Sequence, residues 1–279
     1  MLRRPLSPSA SVLPDRRTRS GSRVPANGER PFTARSVIAS TLLGTHPPRL
    51  SSSRLVRACA LFEISESTAR VALSRMVAKG ELAVADGRYM LLGKLLERQS
   101  RQRWSRSVTT RDWDGTWIVE VAHANARTAV ERSDLRLAMR RLRFGEVRDG
   151  AWLRPDNLVG DADSWSTSIV APQCVAFCGA RPNESRRLAA QLFPLHQWAP
   201  AARSLVADLD RWQPALDRGD ADALPVTFTL NAAVVRHLQN DPLLPDELLP
   251  RAWPGDRLRS RFESFDAAFV ALWRAAIRS

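Results

Sequence analysis

Cysteine and histidine are scarce, with three and four copies in 279 residues. Cys59, Cys174 and Cys178 are odd in number and none stands in a metal-like CxxC spacing, so the expectation is three buried thiols in a reducing cytoplasm. His46, His123, His196 and His237 are scattered, without a neighbour at metal-ligand spacing. Also missing is any apolar run of about 18 residues, which excludes a membrane-spanning helix. The first 31 residues lack the apolar segment of a secretory signal. No GxSxG, Walker A or GxGxxG motif occurs. Asp208, Asp210 and Asp217 lie close together but share a predicted helix with Arg211 and Arg218, and read as surface charge. His237 closes an apolar stripe and reads as a core histidine. No catalytic, cofactor or metal site is legible, and a non-enzyme is expected.

What the chain does have is positive charge, unevenly placed. The formal net charge is +13. Residues 1–110 carry 20 lysines and arginines against 7 acids, a surplus of 13, while residues 111–279 carry 22 of each. A polyanionic partner is therefore expected for one part of the molecule only. Residues 1–31, rich in Arg, Ser and Pro, cannot bury enough apolar surface to order themselves and read as a disordered basic tail.

The stretch from Ile64 to Tyr89 is the most informative. Ser65 is a good N-cap, and Ala69, Leu73 and Met76 form one stripe of the helix that follows. Ser67, Thr68, Arg70, Val71, Ser74 and Arg75 occupy the other face, and Gly80 closes the helix. Leu82 and Val84 then alternate with small residues, Asp86-Gly87 supplies a two-residue turn, and Arg88-Tyr89-Met90-Leu91 returns as the second strand of a ribbon. Upstream, Thr33 caps a helix with Val37, Ile38, Thr41 and Leu42 inward, ending at Gly44. After a turn, THPPRLSSS, Ser53 starts a second helix carrying Leu55, Cys59 and Phe62 on one stripe. Three helices and a wing over residues 32–92 outline a winged helix-turn-helix, whose third helix suits the major groove of DNA. Residues 93–112 read as a linker helix and hinge.

At Trp113 the character changes. A strand with Trp117, Val119 and Val121 precedes a helix with Leu135, Ala138, Met139 and Leu142 on its buried stripe. Arg132, Arg136, Arg140, Arg141 and Arg143 on that helix read as a solvated row, with Glu131 and Asp134 at hand to pair with them. A strand pair about Asp149-Gly150 and a short strand in QCVAFCGAR follow, then a helix from Glu184. This order suggests a ferredoxin-like domain over residues 113–183. Residues 184–279 are helical, with Leu188 and Leu192, then Leu205, Leu209 and Trp212, then Leu230 and Val234. Leu258, Phe262, Phe265, Phe269 and Leu272 mark a long last helix. Before it, the four prolines of DPLLPDELLPRAWPG hold an extended, turned path. The fold class expected is α+β.

Four stretches together carry a resemblance: TARSVIASTLLG, ISESTARVALSRMVAKGEL, WDGTW with the later GAWLRPDNL, and DPLLPDELLPRAWPG. Over about residues 32–278 the chain resembles the PaaX family of repressors of phenylacetic acid catabolism. The resemblance implies an N-terminal winged helix, a ferredoxin-like middle domain and a helical C-terminal domain. It further implies a cytoplasmic homodimer that represses transcription from a palindromic operator in double-stranded DNA and is released by an acyl-coenzyme A thioester. Carried onto this chain, the DNA-reading positions are Ser67, Thr68, Arg70, Ser74 and Arg75, with Arg88 and Tyr89 in the wing. No effector-binding residue can be carried over, and no membrane is implied. Two other readings stand beside it: an adaptor whose winged helix contacts protein, and a metal-dependent nuclease built on the ferredoxin-like domain, for which the strand WIVEVA offers only Glu120.

Overall fold

The computed structural model describes residues 32–107, 109–125, 127–160 and 163–278. The basic tail lies outside them. Helix α1 (Ala34–Leu43) starts on a reciprocal cap: Thr33 Oγ1 accepts the Ser36 amide and Ser36 Oγ accepts the Thr33 amide. Strand β1 (Arg49–Ser51) and helix α2 (Ser52–Ala60) follow, then α3 (Glu66–Ala78), β2 (Leu82–Ala85) and β3 (Arg88–Leu91). The expected turn Asp86-Gly87 has φ of 50° and 68°, the paired positive values that a two-residue hairpin of this hand requires. Gly80, at φ 68°, ends α3 just past Lys79.

Three details depart from expectation. The ribbon is a three-stranded antiparallel sheet in the order β1-β3-β2, because Arg49-Leu50-Ser51, read as a turn, pairs with the free edge of β3 and sets Leu50 opposite Tyr89. Three residues are too few to show alternation. Helix α2 begins at Ser52 rather than Ser53, and Phe62 lies in the turn beyond its end. The linker is the helix expected, α4 (Gly93–Ser107), but its first half is docked on the end of α1 rather than free to hinge. Leu95 and Gln99 are buried, and Gln99 Nε2 donates to the carbonyls of Leu42, Leu43 and Thr45 at 3.1–3.3 Å. That amide satisfies oxygens which the end of α1 leaves without helical partners.

The middle of the chain forms a four-stranded antiparallel sheet in the order β6-β7-β5-β9. Its elements are β5 (Trp117–Ala122), α5 (Ala129–Arg141), β6 (Gly145–Arg148), β7 (Ala151–Pro155), α6 (Ser164–Val170) and β9 (Cys174–Ala180). A two-residue ladder joins β4 (Thr109–Thr110) to β8 (Leu158–Val159). The β-α-β-β-α-β order and the antiparallel pairing are ferredoxin-like. The second helix of that repeat is α6, not the one expected from Glu184. In seven residues only Ser166 and Val170 are buried, which leaves no periodicity to read. Helices α5 and α6 cover one face through Leu135, Ala138, Met139 and Val170, against Ile118 and Trp152. Trp117 and Leu153 look to the other face, onto α7 (Ser185–Leu192), Leu244 and Leu248.

Helices α8 (Leu195–Asp217), α9 (Leu224–Leu238) and α10 (Gly255–Ala276) make the C-terminal bundle. On α10 the buried stripe ends on Trp273, with Leu272 half-buried beside it. The proline-rich stretch packs Leu244 and Leu248 under the sheet and is fastened at Asp241. That buried carboxylate accepts the Leu243 amide at 3.0 Å and Arg259 Nη2 at 2.7 Å, while Asn157 Nδ2 donates to the Leu243 carbonyl at 2.9 Å. Arg143, buried and at φ 66°, donates to the Gln239 carbonyl.

The winged helix and the C-terminal bundle share one hydrophobic core. Phe62 meets Phe32 at 4.8 Å and Phe228 at 5.1 Å between ring centroids, and Phe228 stacks on Trp273 at 5.0 Å. Arg57 Nη1 also donates to the Arg278 carbonyl at 3.0 Å. The winged helix is seated on the bundle.

Candidate nucleic-acid interface

Helix α3 is two-sided by construction. Ser65 Oγ accepts the Thr68 amide at 3.3 Å and lies 2.9 Å from Thr68 Oγ1 and 3.1 Å from Ser67 Oγ, so the first turn is fixed by its own hydroxyls. Ala69, Leu73 and Met76 are buried against α1 and α2. Ser67, Thr68, Arg70, Val71, Ser74 and Arg75 are all exposed, in agreement with the face read from spacing. Nothing else among the described residues covers them.

The two arginines on this face differ. Arg70 Nε donates to Glu66 Oε1 at 2.7 Å, one turn back on the same helix, whereas Arg75 makes no ion pair among the described residues. Both partners of the first pair are about 60% exposed (59% and 62%), a setting in which an ion pair contributes little. Glu66 is thus a residue that the sequence reading did not weigh. A bound polyanion must draw Arg70 away from it and tolerate its negative charge.

The wing positions do not come together. Successive strand side chains point to opposite faces, and Tyr89 packs half-buried against the winged-helix core while Arg88 is exposed. Arg88 lines a cavity that also includes Arg49 and Arg54. Residues 33–95 hold nine lysines and arginines against four acids, so the region is positive without its flanking tail. Arg35 and Glu81 form a two-point ion pair with Nη2 to Oε1 at 2.7 Å, tying α1 to the turn between α3 and β2. The hydrogen bond from Arg35 is the first cause holding the Glu81 carboxyl below its ordinary range.

Elsewhere the charges are mostly occupied. On α5, Arg136 pairs with Glu146 and Asp149, Arg141 reaches Asp163 and lies over Trp165, and Arg132 bonds the Arg127 carbonyl. Asp210 pairs with Arg257 and Arg261, and Asp217 accepts from Gln213. Among the described residues no group of three or more His, Cys, Asp or Glu is placed to hold a metal. Glu120 stands beside Arg154, not a second carboxylate, and burial is the main cause raising its pKa. Cys59 and Cys174 are buried, with burial pushing both thiols up to about 11. Cys178 is exposed, against expectation; it lies on β9, which pairs only through β5. His237 is half-buried and stacks on Trp198 at 4.3 Å between centroids, but its Nε2 has no hydrogen-bond partner among the described residues. No helix of the described residues is long and apolar enough to cross a membrane.

Family models match three consecutive segments of the chain. They are a PaaX-like protein over residues 33–95, a PaaX protein central Cas2-like domain over residues 110–191, and a PaaX-like protein C-terminal domain over residues 193–276. Among solved structures, an uncharacterized protein of Mycobacterium tuberculosis, Rv0674, is 39% identical with a TM-score of 0.69, over 88% of this chain and 98% of that one. A comparison with curated proteins finds no match.

Proposed function

This chain belongs to the PaaX-like family, and from that premise we propose that it is a DNA-binding transcriptional regulator that reads its operator through α3. Members of the family are generally transcriptional regulators of phenylacetate catabolism, and the family is regulatory rather than enzymatic. The observation that carries the reading is the outward face of α3, where Ser67, Thr68, Arg70, Ser74 and Arg75 stand exposed over a fully buried Ala69-Leu73-Met76 stripe. A capped helix presenting hydroxyls and guanidinium groups supplies the donors and acceptors that major-groove base edges accept.

In the finer form of the proposal, two chains form a homodimer, each winged helix meets one half of a palindromic operator, and an acyl-coenzyme A thioester releases the repressor. Arg88 contributes charge at the wing, and Tyr89 holds the wing sheet to the helices. A ligand can shift the dimer between DNA-competent and DNA-incompetent geometries only by binding one more tightly than the other.

The test is a salt-controlled titration of the pure protein against DNA from upstream of its own and neighbouring genes, with random DNA of equal length as control. Aryl-acyl coenzyme A thioesters are added to each. Specific binding that a thioester relieves is the expected result. Specific binding indifferent to every thioester removes the effector from the proposal. Equal affinity for random DNA favours the adaptor reading, in which the winged helix contacts protein.

A further inference from the structure

The middle of the outward face of α3 is held by an apolar residue. Around the helix, at about 100° per residue, Val71 falls within about 15° of the direction opposite the centre of the buried Ala69-Leu73-Met76 stripe. Ser67, Ser74 and Arg75 stand beside it, whereas Arg70 lies about 90° away, at the flank of the face. We propose that Val71 reads a thymine in the major groove through the 5-methyl group of that base. Each operator half-site then carries a T·A pair opposite the first half of α3. The inference rests on the regulator reading and adds to it one residue and the base it selects.

The placement argument comes first. Val71 is 49% exposed, and exposure alone is ordinary for a single valine. Its position is not ordinary. A helix lying in the major groove turns the residues of its outward face toward base edges, and its N-terminal half reaches them first. Val71 stands there, with Ser67 and Ser74 as short neighbours one turn to either side, so nothing screens its methyl groups. The fold gives it no other task. Ala69, Ala72, Leu73 and Met76 all join the core, while Val71 packs in no hydrophobic cluster of the described residues. Local helix stability does not call for it either, since alanine at an exposed helical position is the better helix former.

The chemistry then selects the base. A valine side chain neither donates nor accepts a hydrogen bond, so it cannot read the polar atoms of a base edge. The apolar group that the major groove offers is the thymine 5-methyl, which cytosine lacks and the minor groove does not show. Contact between the two removes apolar surface from water on both sides. Valine is stiff at χ1 in a helix, so its methyl groups are held in one orientation before DNA arrives. The 5-methyl belongs to one strand, and the contact therefore distinguishes T·A from A·T as well as from either G·C pair.

The experiment uses the full chain and a library of random-sequence duplexes, from which the sequence preferred by the parent is selected. In that duplex each thymine is replaced in turn by deoxyuridine, which lacks only the 5-methyl group. The expected result for the parent is a Kd raised roughly fourfold at one thymine of each half-site. In Val71→Ala the same replacement should leave Kd unchanged. Val130→Ala, at a 69% exposed valine on α5, should keep the parent's discrimination. Thermal midpoints close to that of the parent show that both variants fold. Undiminished discrimination in Val71→Ala assigns the methyl to another residue and overturns the inference. A loss of affinity in Val71→Ala that is equal on preferred and random duplexes overturns it too, because no base is then read. Sequence preference without thymine–uracil discrimination sinks this inference alone, whereas the absence of any sequence preference in the parent sinks the regulator reading beneath it.

Discussion

At the scale of single residues, Arg75 and Arg70 are chemically alike and differently placed. Arg75 has no ion-pair partner among the described residues to give up, so Arg75→Ala should weaken operator binding by roughly 1–3 kcal/mol if its fork meets a guanine edge. An equal loss on random DNA in the same titration would reassign it to phosphate. Arg70 must first leave Glu66, so Glu66→Gln should raise affinity for both specific and random DNA, most visibly at low salt. His237 offers a test in pH. Burial holds its imidazole below the ordinary value of 6.5, against the opposing pull of Asp241. The folded state therefore favours the neutral ring. Stability from this group is complete above pH 6.5 and is lost as pH falls below it, through the folded-state value. Urea midpoints measured from pH 8 to pH 5 should decline in the parent chain and decline less in His237→Phe.

At the scale of elements, the wing turn and the proline-rich segment depend on local chemistry. Gly87→Ala places a side chain at φ 68° and should cost about 1 kcal/mol, with DNA binding reduced only through loosening of the hairpin. Asp241 is the fastening of the segment 241–255, receiving Arg259 at 2.7 Å with its own side chain almost fully enclosed. Asp241→Ala should destabilise the chain by roughly 3 kcal/mol or more, read as a shift of the urea midpoint. Asn at this position keeps the bond to the Leu243 amide but not the charge, and should fall between the two.

At the scale of the whole molecule, the shared aromatic core packs the winged helix and the bundle together. Phe62→Ala removes the ring that meets both Phe32 and Phe228. It should split the thermal unfolding of the chain into two transitions, where the parent is expected to give one. A single transition lowered in temperature would instead mean that α4 and the Arg57–Arg278 contact suffice to hold the two parts together.

The chain's own pattern determined the helices, the wing turn and the outward face of α3, because each rests on short-range physics: an N-cap hydroxyl, a stripe at three- and four-residue spacing, an Asp-Gly pair. It also determined where the excess charge lies, since charge is counted rather than folded. The tertiary structure decided the rest. Strand β1 exists because β3 has a free edge to pair with, and α6 because the sheet has a face to cover; neither has enough residues to announce itself. Gln99 is buried because the end of α1 lies within reach of its amide. The opposite placement of Arg88 and Tyr89 follows from strand pleat, and the pleat acquires a meaning only once one face has a core. The cavity that Arg88 lines is the furthest from view in the sequence, since its arginines come from β1, α2, β3, α4 and α9. Separations of up to nearly 190 positions between Arg49 and Arg236 are closed by long-range packing alone.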